Sequence, residues 1–112
     1  MNQDVSHIEI GAIQAGVAGA FLSQLFGWTY HPMGEEGEGW LEAPSLKIGI
    51  HGNDPSLQMH VYFKVTDIEA AVVQVKALGG ETEKIVDEPG FGRFCNCRDP
   101  QGIRFGLHQR GV

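Results

Sequence analysis

The chain has no long hydrophobic run. Over its 112 residues, no apolar stretch approaches the roughly 18–20 residues that a membrane-spanning helix needs. Basic residues are scarce, with 8 Lys and Arg against 14 Asp and Glu and a formal net charge of −6. A nucleic-acid partner wants a basic face, so neither a membrane nor a nucleic acid is the expected partner. Cysteine is sparse too. Cys95 and Cys97 lie two apart in GRFCNC, and on a strand such residues share a face, which is poor geometry for a disulfide. Reduced thiols and a cytoplasmic location are the expectation. MNQDVSHIEI has no basic segment leading into an apolar one, so no signal peptide is expected. What is present is ordinary for a globular domain: 42% hydrophobic and 20% charged residues. The length suits one domain. Its modest core would gain from pairing with a second copy.

The order of elements repeats. HIEIG alternates His7, Glu9 and Gly11 against Ile8 and Ile10, as a half-buried strand does. In AGVAGAFLSQLFGW, Val17, Phe21 and Leu25 fall on one helical stripe, and Gly27 ends the helix. WTYHPM, GWLEAP and LKIGI read as three strands, with the polar turn MGEEGEG between the first two. HGNDPSLQ is a turn-rich connector. MHVYFKV then alternates again. TDIEAAVVQVKALGG reads as a helix with a Thr66–Glu69 capping box, a stripe of Ile68, Val72 and Val75, and a stop at Gly79–Gly80. EKIVDE, GRFCNC and IRFGLHQ supply three more strands. The chain is thus strand–helix–three strands, written twice: module one about 5–52, connector 53–57, module two about 58–109.

Strand parity sorts residues into two faces. Ile8, Ile10, Leu46, Ile48, Ile50, Val61, Phe63, Val65, Ile103, Phe105 and Leu107 should pack on the helices. The opposite face carries His7, Glu9, Lys47, Gly49, His51, His60, Tyr62, Lys64, Arg104, Gly106 and His108. That density of polar groups suits a cleft lining. Gly49 and Gly106 sit inside strands, where glycine packs nothing and weakens the element.

With two βαβββ modules, a strand-opening His in each, ALGG after the second helix and DPQG before the last strand, the chain resembles the vicinal oxygen chelate superfamily. That group includes glyoxalase I, the bleomycin-resistance proteins and the extradiol dioxygenases. The resemblance implies an α+β fold of two modules forming a curved, cup-like mixed sheet, closed within one chain or between two. It also implies a homodimer. In metal-dependent members the opening strands give His or Gln and the closing strands give Glu. Here the opening positions are His7 and His60, which match, and the closing positions are Gly49 and Gly106, which cannot ligate. The resemblance therefore points to a small-molecule-binding protein without the usual catalytic metal, the glycines leaving room for a ligand. The alternative is a lyase, isomerase or dioxygenase that holds Zn, Ni, Mn or Fe through His7 and His60. A subunit or interaction domain with no ligand of its own is a third reading.

Two other ligand sets meet a geometric obstacle. His51 and His108 lie two residues past the glycines, about 6.5–7 Å along a strand, which is far for a Zn–N bond of about 2.0–2.1 Å. Glu9 with His7 gives His-x-Glu, part of a facial triad, but again two positions from the ligand height. Glu9 is expected instead to pair with Lys47, Lys64 or Arg104. These basic residues suit an anionic ligand. Trp28, Tyr30 and Trp40, on the second and third strands, could stack on an aromatic one.

Overall fold

In a computed structural model, residues 4–34 and 38–111 are described. The MGEEGEG turn falls partly outside them, at residues 35–37. The chain divides into two compact units. The first holds His7–His60; the second holds the segment up to Ser6 together with the chain from Val61 onward.

In the first unit, β1 (Val5–Gly11) leads into α1 (Ala15–Phe26), then β2 (Thr29–Met33), β3 (Glu38–Glu42) and β4 (Lys47–His51). The strand order is β2-β3-β4-β1. β1 runs parallel to β4, and the other neighbours are antiparallel. The alternation predicted for β1 and β4 holds. Ile10, Ile48, Ile50 and Leu41 are buried with Ala12 and Ala15, and Ile8, Leu46, Leu22 and Tyr30 pack against them. Burying a large aliphatic side chain contributes roughly 1.5–3 kcal/mol, so this layer is the unit's main source of stability.

α1 turns a different face to that core than its apolar stripe predicts. Its buried residues are Ala15 and Gly19, with Ala18 and Leu22 packed alongside. Val17, Phe21 and Leu25 are exposed. Small residues let the helix axis approach the sheet closely, and that contact outweighs the wider apolar stripe. α1 has no side-chain N-cap and no acidic or basic residue in its end turns. It ends as predicted at Gly27, whose φ of 74° is left-handed and whose N–H donates to the Ser23 carbonyl.

The second unit repeats the plan. β5 (Gln58–Lys64) leads to α2 (Ile68–Ala77), β6 (Glu81–Thr82), β7 (Val86–Glu88), β8 (Gly92–Arg98) and β9 (Arg104–Gln109). β5 is parallel to β9, and β9 is antiparallel to β8. Both β6 and β7 pair with β8, so the strand predicted over EKIVDE forms only from Val86, and a short strand precedes it. Val65, Ile68, Ala71, Cys95, Cys97 and Leu107 form the core, with Val72, Val75 and Phe105 against it. Ile103 lies before β9 and is exposed, and Phe63, next to the last residue of β5, is exposed too, against the parity expectation. α2 is capped by Asp67, not Thr66: the Asp67 carboxylate accepts from the Ala70 N–H. Glu69, the expected second half of the box, accepts from Arg93 Nη1 at 2.8 Å instead.

Candidate functional site

Strand register aligns the polar residues of the first unit. Glu9 on β1 lies opposite Gly49 on β4. Gly49 lies opposite Trp40 on β3, and Trp40 opposite His31 on β2. Directly paired residues point to the same side of a sheet, so this row runs across the face away from the core. The Gly49 position explains itself here. A Cβ at Gly49 would stand 2.3 Å from Glu9 Oε1 and 3.1 Å from His7 Nε2. The carboxylate of Glu9 occupies the space that the missing side chain leaves.

Glu9 is held there by imidazoles, not by the basic residues expected to pair with it. His7 Nε2 donates to Glu9 Oε1 at 2.8 Å, and His51 Nδ1 donates to Glu9 Oε2 at 2.7 Å. The other His51 nitrogen, Nε2, donates to Asp54 Oδ2 at 2.7 Å. A neutral imidazole has one N–H, and a carboxylate only accepts. With a carboxylate on each nitrogen, His51 is the imidazolium. Burial opposes that charge, but the hydrogen bonds to Glu9 and Asp54 outweigh it and raise the His51 pKa. Burial likewise works against the Glu9 carboxylate, while His7 and His51 bring its pKa down overall. The Asp54 carboxyl is pushed down to about 2 by the Ser56 hydroxyl and amide, and then by His51.

This sets a pH dependence. His51 has a raised pKa, so its stabilisation is complete below its ordinary 6.5 and is lost as pH rises through the folded value. Glu9 and Asp54 have lowered values, so theirs is present above 4.5 and 3.8 and is lost as pH falls through the folded ones. The network is complete between 4.5 and 6.5. Histidine-resolved NMR titration should find the His51 midpoint above 6.5. A midpoint below it would mean that the two carboxylates do not hold the proton.

The second unit has a matching row. Tyr62 on β5 lies opposite Gly106 on β9, and Gly106 opposite Asn96 on β8. A Cβ at Gly106 would stand 2.2 Å from Tyr62 Cδ2 and 2.4 Å from Cε2. The ring of Tyr62 thus fills this glycine's space as Glu9 fills the other. Each filling residue lies two positions after a strand-opening histidine, His7 or His60. Tyr62 donates from its hydroxyl to Asn96 Oδ1 at 3.1 Å. Its ring meets Phe91 and Phe94 edge-on, with centroids 6.0 and 5.9 Å away.

His108 stands two residues past Gly106, as His51 does past Gly49, yet its partners differ. It is 3% exposed. Its Nε2 donates to the Phe91 carbonyl at 2.6 Å, and its Nδ1 is hydrogen-bonded to the Ser6 hydroxyl. The ring stacks on Phe91 at 3.9 Å.

Of the remaining expected residues, Lys47 places Nζ 4.6 Å from the Trp40 ring centroid, and His31 stacks on the same ring at 4.1 Å. Arg104 is exposed at the start of β9, opposite Arg98. His60 is half-buried on β5. Cys95 and Cys97 are buried with Sγ atoms 3.9 Å apart, and burial pushes the Cys97 thiol up to about 12. Such thiols are poor nucleophiles and poor metal ligands. Sequence reasoning missed Asp54, Asn96, Ser6, Phe91 and Phe94. The only signal for Asp54 was its place three residues after His51 in a Pro-containing turn. Among the described residues, no group of three or more His, Cys, Asp or Glu is placed to hold a metal ion. At each glycine position a cross-strand side chain fills the space, and the Glu9 carboxylate is hydrogen-bonded to two imidazoles.

Comparison with known proteins agrees with this architecture. Residues 7–108 match the Glyoxalase-like domain family. The anthracycline biosynthesis protein DnrV of Streptomyces peucetius is 26% identical over 127 aligned residues, which cover 93% of this chain and 46% of DnrV. The chain therefore spans about half the length of that curated relative. A hypothetical protein from Bacillus halodurans C-125 superposes with a TM-score of 0.77 at 14% identity, covering 100% of this chain and 97% of the other. Methylmalonyl-CoA epimerase from Mycobacterium tuberculosis gives 0.74 at 16% identity, covering 97% and 89%. A variant of the Streptomyces coelicolor methylmalonyl-CoA epimerase, in complex with 2-nitronate-propionyl-CoA, gives 0.74 at 12% identity over 100% of both chains. At such identities the structural likeness establishes the α+β fold and not an activity. Taken with the family match, it makes this chain a member of the Glyoxalase-like domain family, within the vicinal oxygen chelate superfamily.

Proposed function

We propose that this chain forms a cytoplasmic, small-molecule-binding domain of the glyoxalase and bleomycin-resistance type that works without the usual catalytic metal. The observation that carries the reading is the Glu9 carboxylate over Gly49. The place of a closing-strand ligand is filled from the neighbouring strand, and the filling group is tied to His7 and His51.

The ligand class follows from the same face of the first unit. Lys47 holds its ammonium over the Trp40 ring, on which His31 also stacks. A ligand bearing a carboxylate suits that ammonium. The relative DnrV is named for anthracycline biosynthesis, which supports a small organic molecule as ligand. Self-association is part of the reading.

The test is metal analysis of untagged protein, with melting curves before and after chelator and then with benzoate, salicylate and phenylacetate. The expected outcome is metal far below one per chain, no change on chelation, and stabilisation by at least one carboxylate. A ligand at about 100 times its Kd adds about 2.7 kcal/mol, which raises the melting point by on the order of 10 °C in a domain of this size. A near-stoichiometric divalent metal, with melting lowered by chelator, would overturn the reading in favour of a metal-dependent lyase, isomerase or dioxygenase using His7 and His60.

A further inference from the structure

Two of the chain's 8 basic residues stand directly across from each other. Arg98 ends β8, Arg104 opens β9, and the two are register partners. Asn96 and Gly106 are paired in the same ladder. Residues two apart on a strand share a face, as do direct partners. All four therefore lie on one face of the sheet, away from Cys95, Cys97 and Leu107 in the core. The turn between the strands is tightly tied. Asp99 Oδ1 accepts from the Gln101 and Ile103 N–H groups at 2.9 and 2.8 Å, and the Gly102 N–H donates to the Asp99 carbonyl at 3.0 Å. Asp99, the adjacent acid, is thus committed to the backbone of the turn. Arg93, on the same strand, is held by Glu69 and Asp87. Among the described residues, Arg98 and Arg104 form no ion pair, although Glu81 on β6 lies opposite Arg98 on its other side. Like charges directly opposite on a sheet are destabilising. In a chain with 14 acidic residues, this pair is left without a balancing carboxylate.

We propose that Arg98 and Arg104 bind a phosphate group, with Asn96 as a third donor. Two guanidinium forks present planar pairs of N–H groups that match phosphate oxygens. Their double charge is balanced by a phosphate monoester, which carries about −1.5 to −2 at pH 7, better than by a single carboxylate. Asn96 stands two residues before Arg98, about 6.5–7 Å along the strand. Its Oδ1 accepts from the Tyr62 hydroxyl, which leaves its NH2 to donate. The three side chains then offer donors only, as an anion requires. Exposure rises along the strand pair: Gly106 is buried, Asn96 half-buried, and Arg98 and Arg104 exposed. A ligand entering at the open end sets its phosphate between the arginines and its organic part toward Asn96.

This inference rests on the small-molecule reading above, and it places an anion on residues other than Lys47. Isothermal titration calorimetry of the full chain with phenyl phosphate and with inorganic phosphate tests it. Wild type should bind saturably. Arg98→Gln and Arg104→Gln should each weaken binding at least about tenfold, as loss of a charged hydrogen-bonding group does. Both side chains are exposed, so circular dichroism should be unchanged. Arg93→Gln removes the same charge elsewhere on β8 and should bind as wild type does. Tighter binding of phenyl phosphate than of inorganic phosphate would identify an ester as the ligand, and equal binding the free ion. No saturable binding of either probe would overturn the proposal. So would an Arg98→Gln or Arg104→Gln variant that binds no more weakly than Arg93→Gln. Benzoate separates the two readings: any stabilisation it gives wild type through Lys47 should survive Arg104→Gln, so each reading can fail alone.

Discussion

Gly106→Ala should destabilise the protein by about 3 kcal/mol, within the range for overpacking a filled core and a large part of a domain's total of about 5–15 kcal/mol. The backbone is not the obstacle, because Gly106 is not among the glycines with positive φ. Replacing a strand glycine would on its own gain about 0.5–1 kcal/mol of backbone entropy. The steric cost wins because the new methyl meets a ring that has no room to retreat. Tyr62 is 8% exposed, its hydroxyl is bound to Asn96, and Phe91 and Phe94 stand against it. Urea denaturation of Gly106→Ala, alone and in a Tyr62→Ala background, measures the coupling. In the second background the cost should fall below about 1 kcal/mol, since neighbours in contact are not additive. Equal costs in both backgrounds would exonerate the ring.

Glu9→Gln should lower stability by roughly 1.5–3 kcal/mol, the usual worth of a hydrogen bond to a charged group. The side chain keeps its shape, but it loses the anion that two imidazoles address. The amide can accept from one of them only, and its NH2 then faces the other. The His51 pKa should fall toward 6.5, because only Asp54 remains to hold its second proton. The pH profile should report the same change: the loss of stability as pH rises above 6.5 should be smaller in the variant and should be complete at a lower pH than in wild type. A variant whose His51 titrates as in wild type would show that Asp54 alone fixes the charge.

How much of this was legible in the sequence depends on what each feature needs. The strand parity of Ile8, Ile10, Ile48 and Ile50 was readable, because alternation is set by the strand itself. The βαβββ repeat was readable from the turns and glycine stops. The buried face of α1 was not. An apolar stripe names a candidate face, but the closeness of helix to sheet selected Ala15, Ala18 and Gly19 over Val17 and Phe21. The partners of Glu9 were misjudged for a related reason. Charge alone favoured Lys47, Lys64 and Arg104, whereas the parallel register set Glu9 over Gly49 and within reach of His7 and His51. Asp54 was hidden because a turn has no period from which to infer where its carboxylate lands. The glycines themselves were legible as anomalies. What fills them required knowing which residue lies across the strand.

The two glycine rows also constrain the order in which this sequence could change. At Gly49 and at Gly106 a larger residue collides with the side chain opposite. Trimming Glu9 or Tyr62 first leaves a gap, which the structure can partly collapse or fill with water. Enlarging the glycine first leaves a clash. A substitution that placed a carboxylate at Gly106 would therefore require a shortened Tyr62, whereas Glu9 meets Gly49 with the end of a flexible side chain that can swing aside. In each half of the duplication the glycine and its cross-strand neighbour share one space, so the size of either member limits the size of the other.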